Sequence, residues 1–211
     1  MPRLKRSRPM WKPLTKCFFI FAAIVAASGC VHTPPVGDGN RGSVAVKPEV
    51  AADYQRAVGA MKAERDDEAL RQFREITQKY PAISAAFTNL GILYLKKKNF
   101  TQAEKAFAQA VKLNPKDAVA YAHLGIVYRH AGKFKESKQA YLDALRINPG
   151  YALAHLNIGI LYDIYLQDLP LAIQHYKRYQ ALHGGNDKQV DKWIVDLQRR
   201  IDSNRRKLQQ G

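Results

Sequence analysis

The sequence predicts an all-α protein: a solenoid of four stacked helix-turn-helix units closed by a C-terminal helix. Three ladders of residues carry this reading. Aromatic residues recur at Phe73, Phe107, Tyr141 and Tyr176, with spacings of 34, 34 and 35 residues. Pro81, Pro115 and Pro149 keep the 34-residue interval, and so do the small residues Ala69, Ala103 and Ser137. A fixed period of this length marks an array in which each unit buries its apolar face against its neighbours.

Residues 1–29 are the first element. Arg3, Lys5, Arg6, Arg8, Lys12 and Lys16 precede an apolar run from Cys17 to Ala27, the charged and apolar regions of a signal peptide. The run falls short of the roughly 20 residues needed to span a bilayer. Ala27-Ser28-Gly29-Cys30 then resembles the bacterial lipobox, with Ala27 where Leu is more usual. The resemblance implies cleavage before Cys30 and acylation of its sulfur. Val31, in place of an Asp, implies delivery to the periplasmic face of the outer membrane.

Export changes the meaning of composition and charge. Cys17 leaves with the signal, so the mature chain can form no disulfide. The formal charge of +16 would otherwise suggest nucleic acid, whose phosphates release counterions to Lys and Arg. Removing six basic and no acidic residues leaves 28 basic against 18 acidic side chains, a formal +10, in a compartment where nucleic acid is not an expected partner. The excess suits anionic lipid, polysaccharide phosphate, peptidoglycan carboxylates or an acidic protein, and equally suits a solvated Lys-rich surface. Residues 30–49 carry Pro34, Pro35, Gly37, Gly39, Gly42 and Pro48 with few large apolar groups. They read as a flexible tether with a root-mean-square span of roughly 25 Å.

The four units are residues 50–83, 84–117, 118–151 and 152–186. The second carries Phe87, Leu90, Gly91, Tyr94, Ala103, Phe107, Ala110 and Pro115, and the third repeats them as Tyr121, Leu124, Gly125, Tyr128, Ser137, Tyr141, Ala144 and Pro149. This pattern resembles the tetratricopeptide repeat at all eight signature positions. Gly91 and Gly125 allow close approach of the paired helices, and Ala103 and Ser137 accept a large neighbouring side chain. Asn114-Pro115 and Asn148-Pro149 end the second helix of each pair, because proline lacks a donor and biases its predecessor away from helix.

The first unit has Arg56, Ala57 and Ala60 where Leu, Gly and Tyr are usual, as a terminal repeat with one solvated face can. The fourth keeps Ile158, Gly159, Tyr162, Ala172 and Tyr176, with one extra residue in the segment Leu166 to Pro170. After Gly184-Gly185, residues 187–211 place Val190, Trp193, Ile194, Leu197 and Ile201 at helical period, a capping helix with a basic end.

Catalytic chemistry finds no pattern here. The six histidines lack zinc-like spacing with thiols or carboxylates, and His123 and His130, seven apart on one helix, have no further ligands beside them. No metal, cofactor or catalytic residue is expected. Asp66-Asp67-Glu68 opens a helix, where acidic groups complement the dipole.

The resemblance places the first helix of each pair on a concave face. One residue before each signature Leu come Gln55, Asn89, His123 and Asn157, and three positions later come Val58, Ile92, Ile126 and Ile160. An amide row beside an apolar row suits an extended or helical peptide, although amides also satisfy local partners and isoleucines also pack between helices. Related grooves that hold a C-terminal carboxylate need basic residues near the amides. Val119 and Leu153 stand there instead, with Lys96 and Arg129 further along. The chain is similar to lipidated repeat proteins such as the pilotins of type IV pili and accessory lipoproteins of secretion systems. The resemblance implies a membrane-tethered scaffold that holds a protein partner during assembly of such a machine; the alternative is a cell-wall adaptor that recruits peptidoglycan enzymes.

Overall fold

The computed structural model describes residues 48–185 and 187–210. The signal segment, Cys30 and all but the last two residues of the tether lie outside the described residues. Among those described, nine α-helices follow one another without a strand. Helices α1 (Pro48–Lys62) and α2 (Asp66–Lys79), α3 (Ser84–Lys96) and α4 (Phe100–Leu113), α5 (Ala118–His130) and α6 (Phe134–Ile147), and α7 (Ala152–Ile160) and α8 (Leu169–Leu182) form four hairpins, and α9 (Lys188–Gln209) closes the array.

The aromatic ladder is the spine of the core. Phe73 and Phe107 have no exposed surface, and neither has Tyr141, while Tyr176 is 1% exposed. Three of these rings lie directly over a glycine of the partner helix. A Cβ placed on Gly91 would sit 2.6 Å from the Phe107 ring, on Gly125 2.5 Å from Tyr141, and on Gly159 2.7 Å from Tyr176. The glycines therefore clear space for a ring rather than for a neighbouring backbone. In the degenerate first unit Ala57 replaces the glycine, and Tyr54 meets Phe73 edge to face with centroids 5.6 Å apart.

Each hairpin turns through a residue in the left-handed region: Glu64 (φ 56°), Lys98 (φ 58°), Gly132 (φ 73°) and Gln167 (φ 56°). Only one of the four is glycine, so the other three bear a cost of roughly 1–2 kcal/mol each. The second helices then begin with side-chain caps at Asn99 and Asp168, which accept from Gln102 N at 3.2 Å and Leu171 N at 3.1 Å. The extra residue of the fourth unit does not lie in the connection, as the sequence suggested. Helix α7 widens at its end into a π-helical segment, Leu161–Leu166, which absorbs one residue inside the helix and delivers Gln167 and Asp168 to the same turn and cap.

Neighbouring units meet through one recurring contact, from the first residue of a second helix to the end of the next first helix. It is an ion pair in Asp66–Lys96 at 2.6 Å and a ring stack in Phe100–His130 at 4.4 Å. Phe134–Tyr165, at 4.7 Å, completes the set. A buried bond ties the second unit to the third: Thr88 donates to Asp117 Oδ2 at 2.7 Å, while Asp117 Oδ1 caps α5 at Ala120 N. Helix α9 buries Val190 and Leu197 and sets Trp193 against Tyr176, 5.4 Å between centroids. Buried Gln180 donates to the Asp187 carbonyl at 2.7 Å and to Asp191 at 2.6 Å, and Arg200 reaches Asp163 at 3.1 Å.

Candidate functional site

Successive first helices touch, α3 with α5 and α5 with α7, whereas successive second helices make less contact among the described residues. The first helices therefore form the inner side of the array, and the residues singled out in the sequence all lie on them.

Their surroundings differ. Gln55 is exposed on α1 and Val58 is buried. Asn89 has no exposed surface, and its Nδ2 donates to Tyr54 Oη at 2.7 Å. That corrects its expected place in an exposed amide row, because Tyr54, which the sequence pattern did not mark as core, fills the space left by the small residues of the first unit. Burial pushes the Tyr54 hydroxyl well above its ordinary pKa, so it remains a neutral partner. His123 is half-buried, stacked on Phe107 with centroids 5.2 Å apart, and its Nδ1–H donates to the Val119 carbonyl at 2.8 Å. Burial holds its pKa below the usual histidine value. Asn157 Nδ2 donates to the Leu153 carbonyl at 2.8 Å.

The apolar row keeps more surface. Ile92, Ile126 and Ile160 are half-buried, and the last two also pack against the core of the fourth unit. The groove is therefore an aliphatic strip flanked by half-buried His123 and Asn157, with Asn89 withdrawn into the packing.

Two features escaped the sequence reading: the burial of Arg129, noted there only as a basic residue further along, and a pair of histidines. Arg129 continues the spacing of His123 and Ile126, three residues further along the same face of α5. It is only 9% exposed. In the fourth unit, His155 Nδ1 lies 2.9 Å from His175 Nδ1, and His155 Nε2–H donates to the Pro149 carbonyl at 3.1 Å. That leaves His155 Nδ1 as acceptor and His175 Nδ1–H as donor, both rings neutral. Burial and the facing His155 hold His175 down at about 4, and Tyr162 stacks on its ring. The pair lies twenty residues apart on two helices, so no local motif announces it. Among the described residues no group of three or more His, Cys, Asp or Glu could hold a metal ion.

The tetratricopeptide repeat family matches residues 54–118, 88–152 and 124–187. No curated protein matches the chain. Among solved structures, MamA from Desulfovibrio magneticus RS-1, residue 41 to its end, is 18% identical with a TM-score of 0.64, covering 75% of this chain and 88% of that one. The first such domain of Spaghetti (RPAP3), bound to the HSP90 peptide SRMEEVD, is 18% identical with a TM-score of 0.53, covering 56% and 93%. An O-GlcNAc transferase from Thermobaculum terrenum is 22% identical with a TM-score of 0.57, covering 63% of this chain but 26% of the transferase. At these identities the likeness is one of fold.

Proposed function

Since the chain belongs to the tetratricopeptide repeat family, we propose that it is a lipid-anchored periplasmic scaffold whose inner face holds a protein segment during assembly of a type IV pilus or secretion machine. The half-exposed aliphatic strip Ile92, Ile126 and Ile160 on successive first helices carries the groove reading. It offers repeated apolar contacts on a framework already rigid behind it, so binding orders little of the scaffold. A neighbour of the same fold is bound to a seven-residue peptide, which supports an occupant of that size. Ala27-Ser28-Gly29-Cys30 supports the anchor.

Two measurements test the reading. Cys30→Ser should move the protein from the membrane fraction to the soluble fraction, because multiple acyl chains give stable anchoring and a domain without them has none; unchanged fractionation overturns the anchor. A photo-crosslinking amino acid at Ile126 in the lipidated chain should capture a pilus or secretion-machine subunit. Capture of a peptidoglycan enzyme instead would make the protein a cell-wall adaptor, and crosslinking at an exposed second-helix site such as Leu142, with none at Ile126, would remove the groove.

A further inference from the structure

A buried guanidinium normally lies against a carboxylate, because a desolvated charge is otherwise costly. Arg129 does not. Its Nε is buried without a hydrogen-bond acceptor, and from Nη2 it makes a long contact of 3.4 Å to Asn157 Oδ1. Its Cζ stands 6.0 Å from the centre of the Tyr165 ring. The Tyr141 hydroxyl is buried beside the same guanidinium and Ser137, in hydrogen-bond orientation to both but closing no bond of ordinary length. Asp163 occupies the position equivalent to Arg129 in the next unit, but its carboxylate is held by Arg200 at 3.1 Å and by the Tyr176 hydroxyl at 3.5 Å. The cluster therefore has donors to spare at the groove end of α5 and, among the described residues, no carboxylate of its own in ion-pair contact.

We propose that Arg129 receives the side-chain carboxylate of an Asp or Glu within the partner's segment, with Asn157 and the Tyr141 hydroxyl beside it. This rests on the groove reading above and adds to it the chemistry of the occupant. An internal acidic residue fits better than a chain terminus, because Val119 and Leu153 are apolar where a terminal carboxylate would need further charge. The Tyr165 ring beside Arg129 is 40% exposed, and its chain neighbours Ile164 and Leu166 are 53% and 36% exposed, so the acidic residue of the occupant is accompanied by an apolar one. Arg129 can form a forked pair with a carboxylate that an amide cannot reproduce.

The test uses the lipid-free mature chain and an array of acetylated, amidated twelve-residue peptides with a central Glu-Leu or Gln-Leu and randomised flanks. Peptides with Glu should be retained at least about tenfold more strongly than their Gln counterparts, as a charge-assisted bond requires. Arg129→Met should abolish that preference, while Arg146→Gln, on the exposed side of α6, should keep it. Melting of Arg129→Met separates function from structure: an Arg held for a ligand leaves Tm unchanged or raised, whereas an Arg required by the fold lowers it. Equal retention of Glu and Gln peptides, an Arg129→Met variant that keeps the preference, or one that melts early overturns the proposal. Preference for peptides with a free C-terminus regardless of the central residue also overturns it, in favour of terminal capture. If no peptide is retained but Ile126 still crosslinks to its partner, the acidic-residue proposal fails and the groove reading stands.

Discussion

Asn89 and Asn157 occupy the same position in the sequence pattern, yet they do different work. Asn89 is sealed between units, where its amide donates to Tyr54, and Asn157 is half-buried, with its Nδ2 bonded within its own helix and only a long contact from Arg129 to its Oδ1. Asn89→Ala should therefore cost about 1–3 kcal/mol, the penalty for leaving a buried polar group without its partner, and Asn157→Ala less than about 1 kcal/mol. Denaturant unfolding of both variants decides this, and equal losses would contradict it. What the sequence could not supply was Tyr54, which stands one place before Gln55 and outside the signature. The glycines were legible because close approach leaves room for nothing larger, although the object they accommodate is a ring.

The paired histidines give a second residue-scale prediction. His175 titrates at about 4 in the fold and near 6.5 unfolded, so between these values the unfolded chain binds the extra proton. Stability from this pair is present above pH 6.5 and is lost as pH falls towards 4. His155, His123 and His130 are also held low by burial and act in the same direction, while Arg178 near His155 opposes protonation further. The loss from His175 should be on the order of 1 kcal/mol, because the ring is partly solvated and screened. Melting at pH 7.5 and pH 4.5 should differ less for His175→Gln than for the native chain; identical pH slopes would exclude the pair as the source.

At the scale of elements, the helices and their order were legible because period, proline and glycine all follow from steric rules that need no tertiary context. The placement of the thirty-fifth residue in the fourth unit was not. A one-residue insertion can lengthen a loop or widen a helix, and here Leu161 and Tyr162 are buried in the core, which keeps their part of the segment helical. The widened segment also carries Asp163 to Arg200 of α9. That half-buried ion pair is worth about 1 kcal/mol, whereas buried Gln180, bonded to Asp187 and Asp191, holds the start of α9 more firmly. Gln180→Ala should speed amide exchange across α9 by at least about tenfold, a loss of about 1.4 kcal/mol, and Arg200→Ala by less. Exchange in α3 to α6 should not change in either variant; a slower α9 in Gln180→Ala than in Arg200→Ala would reverse the assignment.

At the scale of the molecule, an array is held by contacts between neighbours, and its ends are its weakest units. The first unit begins with a helix whose usual Leu, Gly and Tyr are replaced by Arg56, Ala57 and Ala60, but Tyr54, the bond to Asn89 and the Asp66–Lys96 and Asp67–Lys97 pairs join it to the second. Lys96 and Lys97 at the end of α3 are thus engaged with carboxylates of the first unit. The last unit depends on α9, which covers Tyr176 with Trp193 and buries Val190 and Leu197. Removing residues 187–211 exposes those faces. Burying two aliphatic side chains of this kind contributes about 1.5–3 kcal/mol each, so α7 and α8 should lose exchange protection and unfold before the rest. Among the described residues α9 packs mainly on α8, so the protection of α1 to α6 should persist. The truncated chain should then melt in two steps where the full chain melts in one. A single cooperative transition in the truncated chain, with uniform loss of protection, would mean that coupling between units exceeds their individual stabilities and that α9 stabilises the whole array rather than its last hairpin.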